Sequence, residues 1–546
     1  MKKFYCDETL KEYLRIKFFQ LSQVTFSPSP ISLNHLYVKR PDKNLRCTIL
    51  ILCGLALTPT YSFGDEAPPK PPPTKPTTYE SRDWQSVLGR VKGSPTNIWG
   101  RLKLAKEWVW DEYPDQVLIH EENRIKWPRY LSAALNTPDW LDIGMTNRFR
   151  WEGYDYAFVA DQEGTTWGWA QRTRFRATTK WKQFRAEFEL QGANSGEDSD
   201  TDVVGTDTFN AANVQQLFVS ATLPNVLNSG LRTDFHLGRI NLDIGSRRLV
   251  ARSRFGNTSQ AFDGVHWRLA KTSQWFFRAF FTEVDFNDDT IDRLAMFTNE
   301  DNLFWGLSYQ THQWPWARAQ LYYYGVDSES KGDRASRDHS TIGLRIFDPP
   351  QVGQYHFDAE SVVQFGEFND EDHLAHFHHI SFGYTFDYLW APRLSAMYDY
   401  ASGTSNPDGS KSHTFDGLFG ARNFELTSTG LFGPFFRSNI SSPGIRLKLH
   451  PLGIFDVDLK YRAWWLAEAK DEWVSSGLQD STGDSGKFLG QDIQVRLQWR
   501  PTLNTILEAG YERFIKGSYI KDQSDIPGNP PSDDTNYFYI QTEVLF

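Results

Sequence analysis

The residues best suited to chemistry in this sequence are a run of cations between positions 171 and 182. In an extended strand, one face carries Arg172, Arg174, Arg176, Lys180 and Lys182, and the other carries Phe175, Ala177 and Trp181. Arginine keeps its charge at any pH and offers a planar fork that matches a carboxylate or a phosphate. The stripe therefore predicts a surface that attracts anions. A ladder of ion pairs with acids on a neighbouring strand, such as Glu187 and Glu189, would give the same pattern.

Further cations lie on the polar faces of other alternating segments. They are Arg148 and Arg150 before the stripe, Arg185 after it, and Arg446, Lys448, Arg462 and Arg496 toward the C-terminus. If these segments span a membrane as strands, their basic faces must look into a lumen. The reason is that a charge on the lipid face costs roughly 2–4 kcal/mol near the bilayer midplane. We therefore predict that these cations line a pore and bind its substrate.

Other residue types suggest no reaction chemistry. A cluster of histidines occupies positions 373, 376, 378 and 379, but its spacing fits no tight ligand pattern and its parity is mixed. A polar loop that leads into a strand explains it better than a metal site. No spacing singles out a Ser, Asp and His set for hydrolysis, and no phosphate loop or dinucleotide fingerprint is present. The sequence thus predicts no catalytic residue, no metal site and no cofactor.

The segments that carry the cations alternate in polarity from residue 144 to the end of the chain. The pattern is clear in segments 182–191, 445–450 and 492–500. It recurs in segment 537–546, where Phe538, Ile540, Val544 and Phe546 share one parity, as in the closing strand of an outer-membrane β-barrel. About 18 such segments are present, an even number as bacterial single-chain barrels require. We predict an all-β fold, a transmembrane antiparallel barrel of porin size.

The connections between these segments are of two kinds. Tight turns are predicted at 314–315, 349–350, 450–453 and 500–501, and long loops at 194–212, 286–300, 403–440 and 517–534. Short periplasmic turns alternating with long extracellular loops are typical of outer-membrane barrels. Acidic residues concentrate in the long loops, for example at 197–202, 285–289 and 533–534. These loops could bind divalent cations, but we interpret them as solvated loops that pair with lipopolysaccharide through bridging ions.

Composition agrees with a barrel and excludes a helical membrane protein. The chain has 546 residues, of which 15% are aromatic, and its mean hydropathy is −0.53. No run of 18 apolar residues occurs, so no membrane-spanning helix is expected. In a barrel only every second residue faces lipid, which keeps the mean hydropathy low, and aromatic girdles at both interfaces raise the aromatic content. The net charge of −10 does not oppose a basic lumen, because the local field sets the sign of the permeating ion.

The first 143 residues divide into three predicted segments. Residues 1–64 form a signal peptide with an apolar core at 47–57, preceded by an extension, residues 1–37, that we interpret as spurious, with translation starting at Val38. All three cysteines lie in this part, so the mature chain would have none. Residues 65–83 form a Pro-rich linker, and residues 84–143 form a periplasmic segment or a lumen plug. Residues 144–546 form the barrel.

Several motifs together resemble the alginate-export family of outer-membrane barrels. They are the stretches 138–144 and 147–152; Leu237-Gly-Arg239, 247–250, Asn257 and 262–264; and 400–403, 406–409, 414–415 and 418–420. The resemblance spans residues 138–546. It implies an 18-stranded monomeric barrel that exports an anionic exopolysaccharide through an arginine-lined lumen. It also implies pore-lining roles for Arg148, Arg150, Arg239 and Arg248. The parity of Arg239 matches that of Phe235 and Leu237, so we predict that a bulge at Gly238 turns it inward.

The sequence therefore predicts a passive outer-membrane channel for an alginate-like anionic exopolysaccharide. The alternatives are an anion-selective porin for small solutes and, less favoured, an outer-membrane hydrolase. The predicted pore-lining set is Arg148, Arg150, Arg172, Arg174, Arg176, Lys180, Lys182, Arg185, Arg239, Arg248, Arg446, Lys448, Arg462 and Arg496. Predicted partners are the anionic polysaccharide, outer-membrane lipid and lipopolysaccharide, the barrel-assembly machinery and periplasmic proteins of polysaccharide synthesis. No nucleic acid is expected.

Overall fold

The fold is a single large antiparallel β-sheet that closes on itself. The structure is a computed structural model, and it describes residues 130–159, 164–197, 209–271, 274–285, 302–330, 334–407, 409–423, 425–451, 454–502 and 504–546. The strands are β1 Leu141–Tyr154, β2 Thr166–Trp181, β3 Phe184–Glu197, β4 Asn210–Leu223, β5 Leu231–Ile240, β6 Ala261–Lys271, β7 Trp275–Asp285, β8 Asn302–Thr311, β9 Arg318–Ser328, β10 Arg337–Asp348, β11 Gln354–Phe368, β12 Glu371–Thr385, β13 Arg393–Ala401, β14 Lys411–Ser412, β15 Ile440–Leu449, β16 Phe455–Trp465, β17 Phe488–Thr502, β18 Thr505–Lys516 and β19 Thr535–Leu545. Two short helices, α1 Tyr130–Ala134 and α2 Ser518–Gln523, and a 3₁₀ turn at Val226–Asn228 complete the described elements.

Each barrel strand pairs with its neighbours in the chain, and β19 pairs with β1 to close the ring. The closing pair runs from Tyr154↔Tyr537 to Thr146↔Leu545. Two backbone hydrogen bonds between Met145 and Phe546 extend it. Of the nineteen strands in the described sheet, β14 is a two-residue strand inside a loop and pairs in parallel with β12. The other eighteen form a closed antiparallel barrel, which confirms the predicted fold class.

The alternation seen in the sequence separates the two faces of the barrel. On β1, Phe149 and Trp151 are exposed on the outside, while Arg148 and Arg150 are buried inside. On β19, Tyr537 and Tyr539 are buried inside, and Ile540 is exposed. This arrangement is what a membrane barrel requires, because every second side chain must meet lipid. Aromatic pairs such as Trp151 stacked on Trp167 lie on the outer face.

Turns and loops separate to opposite ends of the barrel. The connections at the end that holds the start of β1 and the end of β19 are short, such as Lys182 and Gln183 between β2 and β3. The opposite end carries the long connections, including 241–260, 402–439, 466–487 and 517–534. One exception at that end is the two-residue β11–β12 hairpin. Its Asn369 and Asp370 both have positive φ, of 53° and 64°, as a type I′ turn requires.

Side chains fill part of the inside of the barrel, so the lumen is not an open channel along its whole length. Phe262, Phe304 and Phe419 contact one another edge-on or tilted, with ring centroids 4.8–6.0 Å apart. Farther round the wall, Phe435 stacks on Trp464 at 3.7 Å. Phe419 and Phe435 belong to the connection between β13 and β15, so this long loop folds into the lumen and buries apolar side chains there.

The N-terminal predictions fall mostly outside the described residues. The signal peptide, the Pro-rich linker and residues 84–129 lie there. Strand β1 begins at Leu141, three residues before the predicted boundary of the barrel. Helix α1 contacts its start, because the Ser132 hydroxyl accepts a bond from the Ile143 amide at 2.7 Å and donates to the Asp142 carboxylate at 3.1 Å. Within the described residues, no helix has the length and apolar character needed to cross a membrane.

Candidate functional site in the lumen

Two long loops enter the lumen and meet there. Lumen loop A is residues 241–260, between β5 and β6, and lumen loop B is residues 402–439, between β13 and β15. Their backbones form a short ladder: the Ala251 amide donates to the Phe419 carbonyl, and the Phe419 amide donates to the Leu249 carbonyl, both at 2.9 Å. A Cβ on Gly420 would lie 1.7 Å from the Arg248 carbonyl oxygen, so this close approach requires glycine.

Arg248 joins the two loops to the barrel wall. Its Nε lies 2.9 Å from Oε2 of Glu425 and its Nη2 lies 2.5 Å from Oε1 of the same carboxylate, so the pair is bidentate. The same guanidinium reaches Glu360 at 2.6 Å and Asp358 at 3.0 Å on β11. All four side chains are buried. Loop A, loop B and β11 are therefore held at one point by a single guanidinium.

The charges of this junction stabilise one another. Burial opposes ionisation of Glu425, but Arg248, His379 and Arg437 lower the pKa of this carboxyl from 4.5 to about 2. Burial also opposes the charge on Arg248, yet Asp358, Glu425 and Glu360 raise its pKa well above the usual value. Arg248 and Glu425 are therefore both charged at neutral pH. A buried pair of this kind is costly to break, because either partner alone would be an uncompensated buried charge.

A second ion-pair chain runs behind Glu425. The His379 Nδ1 lies 2.8 Å from Oδ1 of Asp399, and the Arg462 Nη2 lies 2.6 Å from Oδ2. Potential ligand atoms of His379, Asp399 and Glu425 lie within 4.8 Å of one another, a spacing that a metal ion could bridge. Arginines already bind these carboxylates, however, since Arg437 contacts Glu425 at 2.7 Å. The donor set fits an arginine–carboxylate network rather than a metal.

Arg148 and Arg172 bind the backbone of lumen loop A. Arg148 donates to the carbonyls of Arg254 and Phe255 at 2.9 and 2.8 Å, and Arg172 donates to that of Gly256 at 2.8 Å. Among the described residues, no carboxylate lies within ion-pair distance of either guanidinium. The acceptors are neutral carbonyls and, for Arg148, also the Asn257 side chain. These two arginines therefore fix the position of lumen loop A against β1 and β2.

Arg150 and Arg174 are buried on the inner face and are partly neutralised there. The Nε of Arg150 lies 2.6 Å from Oε1 of Glu152, and its Nη1 donates to the Phe255 carbonyl at 2.7 Å. Arg174 donates to Gln191 at 2.7 Å and lies 3.7 Å from Glu189. The ion-pair ladder considered from the sequence thus accounts for part of the basic stripe.

The remaining cations of the stripe lie toward the turn end of the barrel. Arg176 is half-buried, and Lys180 is exposed. Lys182 sits in the β2–β3 turn with a positive φ of 53°, and its ammonium lies 5.3 Å from the ring of the exposed Trp181. It therefore lies at the rim and not on the lumen wall, because the strand ends before it. Arg185 forms a short ion pair with Glu187.

Arg239 faces inward, but not through a bulge. The pairing of β5 with β4 and β6 continues through Leu217↔Arg239 and Arg239↔Asp263 without a shift of register. Instead, Gly238 has φ of 124°, and this conformation turns the following side chain into the lumen. There Arg239 forms a bidentate pair with Asp263 at 2.7 and 2.6 Å and reaches Asp285 at 2.9 Å. The predicted direction is found, and the predicted bulge is wrong.

The cations of the C-terminal half also pair with acids. Arg446 binds both carboxylate oxygens of Asp458, and Lys448 lies 3.9 Å from the same residue. Arg462 binds Asp399, as described above. Arg496 lies 3.0 Å from Glu508 and remains more than a third exposed. These contacts bring the strands β15 to β18 together through charge pairs across their inner faces.

A basic cavity opens in the lumen beneath the two loops, toward the turn end. It extends from Arg248 and Glu425 to Pro350 in the β10–β11 turn. Its lining has four basic side chains, Arg248, Arg393, Arg446 and Lys448, against two carboxylates, Asp358 and Glu425, with His356 and His379 between them. The lining therefore has more basic than acidic side chains.

A second cavity lies beside it against strands β16 to β19. Its charged lining consists of Lys460 and Arg496 against Asp458, Glu508 and Glu512, and Phe255 and Tyr539 supply aromatic surface. Acids outnumber bases here, so the two cavities differ in the sign of their charge. The cavity with more basic than acidic lining residues therefore lies against β11 to β15, and the one with more acidic lining residues lies against β16 to β19.

Sequence reasoning missed the inward folding of both loops. The signal that could have indicated it lies in the motifs 247–250 and 418–420, which are about 170 residues apart in the chain and in direct contact in the fold. Neither motif alternates in polarity as a strand does, and the second contains Gly420. These features are consistent with a contact between loops. The sequence also did not predict which acid or carbonyl each cation contacts.

The chain is similar to several solved bacterial structures, each with a TM-score below 0.5. The outer membrane protein opdK of Pseudomonas aeruginosa is 11% identical, with a TM-score of 0.49, and the comparison covers 74% of this chain and 98% of that one. OccAB2 of Acinetobacter baumannii is 12% identical, with a TM-score of 0.49 and coverage of 75% and 98%. OccK3 (OpdO) of P. aeruginosa is 11% identical, with a TM-score of 0.48 and coverage of 77% and 99%.

Comparison of the sequence with known families gives a more specific result. No curated protein matches the chain. The family model described as alginate export matches residues 139–529, which is most of the chain and nearly all of the barrel. The match includes both lumen loops and the arginines of β1 and β2. The chain therefore belongs to the alginate-export family and is a channel-forming β-barrel of the Gram-negative outer membrane.

Proposed function

We propose that this channel passes an anionic exopolysaccharide, alginate-like in its charge, by passive diffusion through a basic lumen. The observation that carries the proposal is the excess of cations in the cavity beneath the lumen loops. In outer-membrane barrels the short turns face the periplasm, so this cavity lies at the end where an exported polymer enters. The family's description as alginate export supports the same cargo.

A carboxylate group of the polymer can move from one cation of the cavity to the next. Lys448 and Arg446 share Asp458, and a carboxylate of the polymer would compete with Asp458 for them. Arg393 lies on the strand next to Lys448, with the two Cα positions paired. Several weak contacts at strand spacing favour movement, because conduction requires binding that is strong enough to enter and weak enough to leave. No turnover or cofactor is needed for this process.

A second candidate is an anion-selective channel for small solutes. It is favoured by one observation: loops A and B fold into the lumen and are joined at Arg248 and Glu425, which narrows the path. A narrow path suits small anions. The polymer proposal requires either that an extended chain passes beside the junction or that the junction opens.

Planar-bilayer recording of the purified protein separates these candidates. Both predict anion selectivity in a salt gradient, so a reversal potential that indicates cation selectivity would contradict both. Blockade by a polyuronate added on the periplasmic side, but not by inorganic phosphate or a neutral dextran of equal length, would support polymer passage. If the polyuronate and the neutral dextran block the current equally, polymer passage is not supported, and the small-anion channel is the favoured candidate.

The outer face suggests the remaining partners. Exposed apolar residues such as Leu344 and Phe365 would contact membrane lipid, and the acidic pair Asp533 and Asp534 lies in a long loop at the extracellular end. We expect this loop to face lipopolysaccharide. Assembly machinery and periplasmic proteins of polysaccharide synthesis remain predicted partners.

A further inference from the structure

Two histidines stand on the outer face of the barrel, where apolar side chains are the rule. His376 and His378 both lie on β12 and are exposed, while their neighbours His373 and His379 are buried inside. All four lie within the strand, so the loop-to-strand transition predicted for them is wrong. The two outward residues are separated by one position and therefore project from the same face of the sheet.

The imidazoles of this pair already stand at the separation of two metal ligands. The His376 Nδ1 lies 3.1 Å from the His378 Nε2. With zinc–nitrogen bonds of about 2.0–2.1 Å, two ligands on one tetrahedral or octahedral centre are roughly 2.9–3.4 Å apart. The nitrogen–nitrogen separation therefore matches that of two ligands on one metal. Nitrogen donors of this type favour zinc, copper and nickel over calcium or magnesium.

A second contact fixes the ring that would supply one ligand. The Nδ1 of His378 lies 3.0 Å from the Ser361 hydroxyl on β11. A hydrogen bond to one ring nitrogen sets the tautomer and leaves the other nitrogen to bind a metal, as is usual at protein metal sites. On the other side, His376 stacks on Tyr400 with ring centroids 5.5 Å apart. Both rings are therefore held in place by neighbours on adjacent strands.

The pair lies in the loop-end half of β12, and both imidazoles are exposed on the outer face. Toward the periplasm, the outer face of β12 continues with Ile380 and Phe382, which are apolar and exposed. At the level of the histidines the neighbours are mixed: His376 pairs in register with the exposed Val363, and His378 pairs with Tyr400. The Tyr398 hydroxyl bonds Ser441 at 2.9 Å. Tyrosines of this kind mark the boundary between the hydrocarbon and the headgroups.

Two of the other groups that could bind a metal in the described residues fit less well. The group His379, Asp399 and Glu425 is already bound by arginines, as shown above. The lumen pair His236 and His266 has its Nδ1 atoms 3.4 Å apart. The strands of that pair also carry Arg232 and Arg268 on their inner faces beside Asp234. Permanent cations nearby disfavour a divalent ion.

We propose that His376 Nδ1 and His378 Nε2 form a surface chelate for a divalent transition metal, zinc or copper, at the extracellular headgroup level of the outer face. Water or an anionic headgroup completes the coordination. The site is independent of the proposed cargo, because it lies on the opposite side of the barrel wall from the lumen.

Calorimetric titration of the EDTA-treated full-length protein in detergent with Zn²⁺ tests the site. We expect one Zn²⁺ that is lost in His376→Asn and His378→Asn, and roughly tenfold weaker binding in Ser361→Ala, because that contact only orients the ligand. His236→Asn, which alters the lumen pair, is the matched control and should bind as the unaltered protein does. The folded state of each variant is checked by the mobility of unheated samples on gels.

Spectroscopy and chemical protection extend the test. Bound Cu²⁺ should show nitrogen hyperfine structure from two imidazoles, and this signal should disappear in the two β12 variants. In the unaltered protein, Zn²⁺ should slow modification of His376 and His378 by diethyl pyrocarbonate. This measurement does not depend on the folding of any variant. Binding that survives both β12 substitutions, binding lost in His236→Asn, or the absence of protection would each overturn the proposal.

Discussion

Arg248 of lumen loop A and Glu425 of lumen loop B form a buried bidentate ion pair, with nitrogen–oxygen distances of 2.9 and 2.5 Å, across 177 residues of sequence. The same guanidinium holds Glu360 and Asp358 of β11. The pair therefore joins two loops to each other and to the wall at the narrow part of the lumen. Its integrity should set how far the loops can separate.

Replacing Glu425 with glutamine should loosen this junction. The substitution keeps the shape but leaves Arg437 and part of Arg248 without a carboxylate, and removal of one partner from a buried pair costs about 3–5 kcal/mol. We expect Glu425→Gln to give larger and noisier single-channel currents, measured in planar bilayers at neutral pH. Faster cleavage of loop B by trypsin should accompany the change.

The matched control is Glu468→Gln. Glu468 pairs with Lys487 at 3.5 Å, and the two side chains are 35% and 43% exposed, so this pair contributes only about 0–1 kcal/mol. Currents of this variant should equal those of the unaltered channel. If Glu425→Gln also leaves both conductance and cleavage unchanged, the junction does not restrict the loops.

The pH dependence of the junction follows from the lowered pKa of Glu425. Arg248 and Arg437, with His379, lower it from 4.5 to about 2 against the effect of burial. The stabilisation from this carboxylate is therefore complete above about pH 4.5 and is lost as the pH falls toward about 2. The difference in conductance between the unaltered channel and Glu425→Gln should stay constant from about pH 8 to about pH 5.

Comparing the two proteins removes the contributions of groups that they share, such as the lumen histidines. Bilayer recordings on both, in steps of pH at constant salt, make the measurement. A difference that declines between about pH 6 and pH 5 would mean that the carboxyl titrates near or above its usual range. That result would contradict the ion pairing described for Glu425.

Arg148 should be needed for its shape and not only for its charge. It donates to three backbone carbonyls of loop A and to the Asn257 side chain, which a lysine ammonium on a flexible stem cannot reach together. Bonds from a charged group are worth about 1.5–3 kcal/mol. Arg148→Lys should therefore raise hydrogen exchange of residues 250–258 by roughly tenfold to a hundredfold, as measured by mass spectrometry.

Arg513→Lys serves as the control for that experiment. Arg513 pairs with Asp534 on the exposed loop side, and its side chain is 48% exposed. Exchange of residues 250–258 should not change in this variant. Unchanged exchange in Arg148→Lys as well would show that other contacts hold loop A.

Neutralising the basic cavity should reduce anion selectivity. Arg393 and Lys448 lie on paired positions of β13 and β15 at its turn end. The double variant Arg393→Gln, Lys448→Gln should shift the reversal potential toward that of potassium and weaken polyuronate blockade from the periplasmic side. The cause is the loss of two charges from a confined surface.

A variant with a charge change outside the cavity separates local from total charge. Lys521→Gln alters α2, in a loop at the opposite end of the barrel. Its reversal potential and blockade should match those of the unaltered channel. If it shifts selectivity as much as the cavity variant does, net charge and not the cavity determines which ions pass.

The sequence was sufficient to predict the strands, their faces and the ends at which turns and loops lie. The alternation of Phe184 and Phe188 with Glu187 and Glu189 on β3 is found as predicted, because strand periodicity is a local property. The partners of the cations were not predictable. Whether Arg148 meets a carboxylate or a carbonyl depends on loop A, which reaches it from more than 100 residues away.

The inward turn of Arg239 is the clearest case where one backbone angle overrides the strand pattern. Phe235 and Leu237 point outward, and strict alternation would carry Arg239 outward with them, into lipid. A φ of 124° at Gly238 prevents this. A Cβ there would lie 2.3 Å from the Leu217 carbonyl oxygen, so both the angle and the space require glycine.

Gly238→Ala should therefore destabilise the barrel by more than about 1–3 kcal/mol, the usual cost of a strained backbone conformation alone, and disturb the Arg239–Asp263 pair. The measurement is the urea concentration that converts the folded to the unfolded form on unheated gels. Gly230→Ala is the matched control, since Gly230 also has positive φ, of 73°, but lies in a turn with no atom within 4 Å of the added Cβ. A smaller loss of stability at Gly230 is expected because that residue pays only the backbone cost, whereas equal losses at both sites would show that the close approach to β4 adds nothing.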